Sequence, residues 1–180
     1  MAAAGKVRVA TMWLSGCSGC HMSFLDMDEV LIDLAAKIQV VYSPLADVKV
    51  FPENVDVTLI EGAVANEEQL ELLKQARERT KILISLGDCA VTGNVPALRN
   101  AWDNSAQLAL ERAYIENADV QKQIPTDVPE LLAKVRPLHE LVKVDYFVPG
   151  CPPPADVITY VLTELLAGRK PNMEGKSKYG

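Results

Sequence analysis

Four cysteines, each following a short apolar run, set the terms on which this chain can fold. Cys17 and Cys20 stand in Trp13-Leu14-Ser15-Gly16-Cys17-Ser18-Gly19-Cys20, directly after the run 7–12. Cys89 stands in Gly87-Asp88-Cys89-Ala90 after 81–86, and Cys151 in Pro149-Gly150-Cys151-Pro152-Pro153 after 145–148. These runs are rich in β-branched residues, as strands buried on both faces of a parallel sheet are. If they are neighbours in one sheet, all four thiols leave it at one edge, where open α/β folds place their functional sites.

Two further runs, 39–42 and 56–60, bring the expected strands to five, with helical patterns between them. A first helix is predicted from His21 or Met22 to Lys37, with Phe24, Leu25, Val30, Leu31, Leu34 and Ala35 as its apolar positions. Asn66 with Gln69 three residues on reads as a capping box, followed by Leu70, Leu73 and Ala76 at helical spacing. The text 92–96 signals a turn, and 106–117 is helical again. The last helix carries Pro154 in its first turn, a stripe of Val157, Ile158, Val161, Leu162, Leu165 and Leu166, and a stop at Gly168-Arg169-Lys170. This alternation predicts an α/β fold, a five-stranded parallel sheet with helices on both faces. Pro125, Pro129 and Pro137 break the pattern over 119–137, which is expected to be a loop or excursion that touches a partner. Without repeats or low-complexity stretches, one domain is expected over 1–170, with 171–180 a loose tail.

At 180 residues the chain is long enough for one real core. Its net charge of -6 comes without acidic blocks or a basic patch, which speaks against nucleic-acid or anionic-membrane partners. No long apolar stretch suggests membrane insertion, and Met1–Lys6 runs almost at once into a strand with neither a long apolar region nor a twin-arginine pair. A cytoplasmic location is expected, and in that reducing setting the thiols are metal ligands or redox groups before they are disulfides.

A lone C-x-x-C supports three readings: half a zinc site, a dithiol redox pair, or half an iron-sulfur site. A redox pair would leave Cys89 and Cys151 as core residues. A structural zinc site usually arrives as two local pairs, whereas here the second pair is split between distant loops. That division suits a cluster seated across the sheet edge, with zinc and redox thiols still open. Gly16 and Gly19 would let backbone N–H groups approach sulfur, and Gly87 and Gly150 would aim Cys89 and Cys151 inward. Pro152 and Pro153 would stiffen the last loop.

Trp13, the C-S-G-C of 17–20, Glu61-Gly62, G-D-C-A with a following Gly93, and P-G-C-P-P together resemble the small, electron-transferring subunit of nickel-iron hydrogenases. The likeness is strongest to the soluble, cytoplasmic, NAD-linked bidirectional enzymes and runs to about Arg169. It implies a flavodoxin-like fold and one [4Fe-4S] cluster, with Cys17, Cys20, Cys89 and Cys151 matching the four ligands. It also implies a [NiFe] large subunit and diaphorase or ferredoxin-like electron-transfer subunits as partners. Many membrane or periplasmic relatives carry a second cysteine-rich region, which is not found here, so electrons are expected to leave through a neighbouring subunit. The chain also lacks the paired C-x-x-C motifs of a nickel-iron centre, so hydrogen chemistry is expected on the partner. The respiratory NADH dehydrogenase subunit of the same superfamily uses adjacent cysteines, and the absence of a Cys-Cys pair weighs against quinone reduction. NADP, F420 or ferredoxin remain alternative acceptors.

Other residues carry paired readings. Glu61 could contact the cluster pocket or relay protons, or simply cap a helix, and Ser18 could hydrogen-bond a cluster sulfur or merely fit a tight loop. His21 could donate toward the cluster or lie solvated, Trp13 could shield the cluster or pack on the large subunit or simply be core, and His139 reads as bland. Asp88 receives no chemical role beyond ending its strand. FMN at the strand ends is conceivable but is not adopted, since fold alone does not warrant a ligand.

Overall fold

The computed structural model describes residues 5–44, 46–176 and 179. Seven strands form there: β1 (Val7–Trp13), β2 (Ile38–Tyr42), β3 (Val55–Glu61), β4 (Val64–Asn66), β5 (Thr80–Leu86), β6 (Leu131–Arg136) and β7 (Tyr146–Val148). Six α-helices accompany them: α1 (Gly19–Leu25), α2 (Val30–Ala35), α3 (Glu67–Arg79), α4 (Asp88–Thr92), α5 (Ser105–Glu111) and α6 (Ala155–Leu166). The five apolar runs make the main sheet, every pairing parallel, in the order β2-β1-β3-β5-β7. Counted among themselves the strands run 2-1-3-4-5, the flavodoxin-like order, with its switch point between β1 and β3.

Strand periodicity divides the core into two layers. Val9, Val57, Leu59, Ile84 and Leu86 pack with Phe24, Leu34 and the α6 stripe of Val157, Ile158, Val161 and Leu162. Ala10, Met12, Ile60 and Leu83 pack on the other face with Leu73 and Ala76 of α3 and Ala90 of α4. Each large apolar side chain is stabilised by about 1.5–3 kcal/mol on burial, so the sheet is a rigid base for the loops at its edge.

Local chemistry explains the helix ends. Asn66 Oδ1 accepts from Gln69 N–H at 2.8 Å, as the capping pattern requires. The reciprocal half shifts by one residue, because Gln69 Oε1 takes the N–H of Ala65 instead of that of Asn66. At the end of α6, Gly168 N–H and Arg169 N–H bond to the carbonyls of Leu165 and Glu164, a Schellman closure. Pro154 sits one residue outside that helix, as its N-cap.

Four expectations are corrected. The helix expected over 21–37 begins at Gly19 and is two pieces, broken at 26–29 where Asp28 takes a left-handed φ of 48°. Met27 is buried there, while Leu25 and Val30 are exposed. The segment 119–137 is not wholly a loop: β6 pairs antiparallel with β4 in a second, two-stranded sheet. After the turn at Gly93 the chain forms a 3-10 helix over Val95–Ala101, and the helix of 106–117 ends in a π-helical turn at Arg112–Glu116. Part of the tail expected to be loose lies against α6, with Asn172 N–H donating to the Tyr160 hydroxyl and Met173 packed on the core. The readings of 1–4 and of 177, 178 and 180 fall outside the described residues. Among those residues, no helix is long and apolar enough to cross a membrane.

Candidate four-thiol site

The loop leaving β1 is laid along the chain leaving β3. Leu14 N–H donates to the Glu61 carbonyl at 2.9 Å, and Ser15 and Ala63 exchange both backbone hydrogen bonds. Gly16 therefore lies against Gly62, where a Cβ on Gly16 would stand 3.3 Å from the Gly62 Cα. Helix α1 starts at Gly19, which places Cys17 just before its first turn and Cys20 within it. Glu61 is almost fully buried, and its Oε2 accepts the Cys20 N–H at 2.9 Å, tying β3 to the C-x-x-C loop.

Cys89 and Cys151 are delivered by adjoining strands. Gly87 N–H donates to the Val148 carbonyl at 2.8 Å, continuing the β5–β7 ladder past the ends of both strands. One residue on, Asp88 and Gly150 exchange two bonds: Asp88 N–H to the Gly150 carbonyl at 2.9 Å, and Gly150 N–H to Asp88 Oδ1 at 2.7 Å. Ser23 Oγ of α1 donates to the Pro153 carbonyl, fastening the last loop to the first.

These contacts bring all four thiols to one cavity of about 80 Å³, which Glu61 and Asp88 also line. Cys17 and Cys151 are exposed at its rim, and Cys20 and Cys89 are deeper. A single water occupies roughly 10–15 Å³ by this kind of measure, so the space suits a group larger than one ion. Among the described residues, no three His, Cys, Asp or Glu side chains converge closely enough to grip a single metal ion. Gly87, at φ +82°, keeps the space open, since a Cβ there would come within 2.2 Å of Cys20 Sγ. Four thiols spread round such a volume fit an iron-sulfur cluster better than mononuclear zinc, which draws its ligands to about 2.3 Å from one centre.

Burial pushes the Cys20 thiol far above its ordinary range, and the Glu61 carboxylate and the thiols of Cys89 and Cys17 add to the effect. Cys89 is raised by burial and by Cys151 and Cys17. Binding a metal at such thiols displaces their protons.

The remaining sequence candidates divide. Gly16 and Gly19 line the thiol cavity, and a Cβ on Gly19 would stand 3.2 Å from Cys17 Sγ. Ser18 does not line it; with φ 65° and no side-chain capping bond, it faces a neighbouring cavity of about 270 Å³ together with Trp13, His21 and Met22. That cavity is larger but holds no thiol. His21 does not line the thiol cavity; its Nδ1 lies 3.0 Å from Glu61 Oε1 without hydrogen-bond alignment, and its ring stands edge-on to Trp13 at 5.5 Å. Trp13 is 38% exposed and not a core residue. Asp88, read from the sequence only as ending its strand, and Asn94, which the sequence did not single out, both stand at the thiols. Asn94 Nδ2 lies 3.7 Å from Cys151 Sγ. The one available signal for Asp88 was a charged residue placed between a buried strand and a thiol.

Residues 17–165 match the family described as NADH ubiquinone oxidoreductase, 20 Kd subunit. The chain is 46% identical over 171 residues to the delta subunit of the NAD-reducing hydrogenase HoxS of Cupriavidus necator, covering 92% of this chain and 81% of that protein. It is 44% identical over 174 residues to a subunit of the F420-non-reducing hydrogenase of Methanothermobacter marburgensis, covering 93% of this chain and 56% of that protein. Among solved structures, a chain of an NAD+-reducing [NiFe]-hydrogenase in the H2-reduced state superimposes with a TM-score of 0.92 at 41% identity, covering 98% of this chain and 100% of that one. A [NiFeSe]-hydrogenase chain from Dm. baculatum, at TM-score 0.60 and 15% identity over 98% of this chain and 70% of that one, shares the fold. The chain thus belongs to the NADH ubiquinone oxidoreductase 20 kDa subunit family, beside the members of it found in hydrogenases.

Proposed function

We propose that this chain is the small, electron-transferring subunit of an NAD-reducing [NiFe] hydrogenase, and that Cys17, Cys20, Cys89 and Cys151 hold one [4Fe-4S] cluster. The observation that carries the reading is the convergence of four thiols from three loops on one cavity. The 46% identity to the HoxS delta subunit supports it. When bound, such a cluster supplies one-electron acceptance and release.

The chain's own residues supply position and rigidity. Glu61 holds the C-x-x-C loop through the Cys20 N–H, and Gly87 leaves room beside Cys20 Sγ. The exposed side of the cavity, at Cys17 and Cys151, is where a nickel-iron subunit would lie. With only four cysteines, all gathered at this cavity, hydrogen splitting or formation belongs to that partner. A diaphorase-type partner would then pass electrons to NAD+, in a cytoplasmic complex, with residues 1–170 as the cluster-binding domain.

Iron, acid-labile sulfide and electron paramagnetic resonance of the assembled complex test this reading. Cluster signals should appear on reduction with H2, and Cys89→Ser or Cys151→Ser should remove one cluster's worth of iron. Zinc in place of iron, or serine variants with full iron, would sink it. A second reading, the same subunit role with another acceptor, is favoured by the 44% identity to the F420-non-reducing hydrogenase protein. NADH formation under H2 supports the first reading, and dye reduction without NADH supports the second.

A further inference from the structure

We propose that Asp88 is a positioning residue that sets the spacing between Cys89 and Cys151 by clamping the residues that precede them. The inference rests on the reading of the four thiols as one ligand set. Cys17 and Cys20 are kept together by the two residues between them, but Cys89, in the first turn of α4, and Cys151, after β7, have no local motif to fix their separation. The structure supplies a reciprocal pair instead. Asp88 and Gly150, each immediately before a thiol, exchange a backbone bond of 2.9 Å and a side-chain bond of 2.7 Å. Only the second depends on which residue occupies position 88.

Three observations give that side-chain bond its weight. Strand β7 pairs with β5 through only three residue pairs, Ile84↔Tyr146, Ser85↔Phe147 and Leu86↔Val148, the shortest pairing of the main sheet among the described residues. Short edge strands open locally at low cost. Gly150 cannot provide a side chain of its own, because at φ +143° a Cβ would lie 2.6 Å from the Pro153 Cα. The tether must therefore come from the opposite loop. Asp88 is 4% exposed, so water does not compete for the bond, and its carboxyl oxygen extends the ladder beyond the strand ends.

The test reads thiol spacing directly and needs no cluster. In the full chain carrying Cys17→Ser and Cys20→Ser, a short bifunctional thiol reagent should cross-link Cys89 to Cys151 efficiently, read by mass spectrometry. Asp88→Asn, whose amide oxygen still accepts the Gly150 N–H, should preserve this, and Asp88→Ala should slow it about tenfold or more, the scale of one lost buried hydrogen bond. An unchanged rate in Asp88→Ala overturns the proposal. Should that variant fail to fold, amide exchange of the unaltered chain decides. Gly150 N–H must exchange as slowly as the paired amides of β5, and rapid exchange overturns the clamp. The two readings fail separately. Slowed cross-linking in Asp88→Ala alongside an iron-free complex keeps the clamp and removes the cluster, and unchanged cross-linking with iron present does the reverse.

Discussion

Cys20 occupies the position where a thiol least readily gives up its proton, buried in the first turn of α1 with the Glu61 carboxylate bonded to its own N–H. This has a measurable consequence for the cluster-free chain. Above the ordinary thiol value of 9.0, the unfolded chain releases protons that the folded chain still holds at Cys20 and Cys89. Stability on this account is fully present below 9.0 and is lost as pH rises toward the folded-state values. Urea midpoints should therefore fall between about pH 8 and about pH 10, and Cys20→Ala should fall less steeply than the unaltered chain; equal slopes would contradict the assignment. Gly87→Ala tests the cavity from the other side. The new methyl would meet Cys20 Sγ, and the +82° backbone is strained for any L side chain. The expected cost from backbone strain alone is about 1–3 kcal/mol, together with loss of iron from the assembled complex. Full iron and an unshifted melting temperature would contradict it.

At the scale of elements, the small sheet of β4 and β6 hangs on Arg99. Its guanidinium donates to the Leu132 carbonyl at 2.8 Å, to the Ala65 carbonyl at 3.3 Å and to Ser105 Oγ at 2.8 Å, joining both strands to α5. Arg99→Met should expose 131–136 to fast amide exchange while the five-stranded sheet stays protected, at a cost of about 1–3 kcal/mol for the acceptors left unmet. Uniform protection across both sheets would show that Arg99 is dispensable. This sheet is also where the sequence was least readable. Strand β6 lies between Pro129 and Pro137 and pairs with a three-residue partner far upstream, so neither composition nor spacing announces it. The break at 26–29 is hidden for a different reason. Phe24, Met27 and Leu34 face the same core on both sides of it, so the apolar pattern continues where the helix does not. By contrast, the five main strands were legible because strands buried on both faces must be apolar throughout. The meeting of the thiols followed from their placement at strand ends. Asp88 received no chemical role because its meaning depends on Gly150, which only the β5–β7 pairing brings near.

At the scale of the whole molecule, exposed apolar side chains lie near the thiols in the chain. Trp13 and Met22 flank the first pair of thiols, and Val95 and Leu98 follow Cys89, with Met22 and Leu98 60% and 70% exposed. Exposed apolar side chains grouped around a functional site fit a partner's footprint. The exposed rim thiols Cys17 and Cys151 lie at the same edge, so the covering partner would also shield the cofactor. Expressed alone, the chain should therefore lose its iron during purification and self-associate. Co-expressed with a nickel-iron subunit, it should elute as one complex with iron retained. Size-exclusion chromatography with absorbance of the iron-sulfur chromophore separates these outcomes. A stable, iron-loaded monomer would mean that the apolar edge serves the chain's own fold, and that the reading of this edge as an interface is wrong.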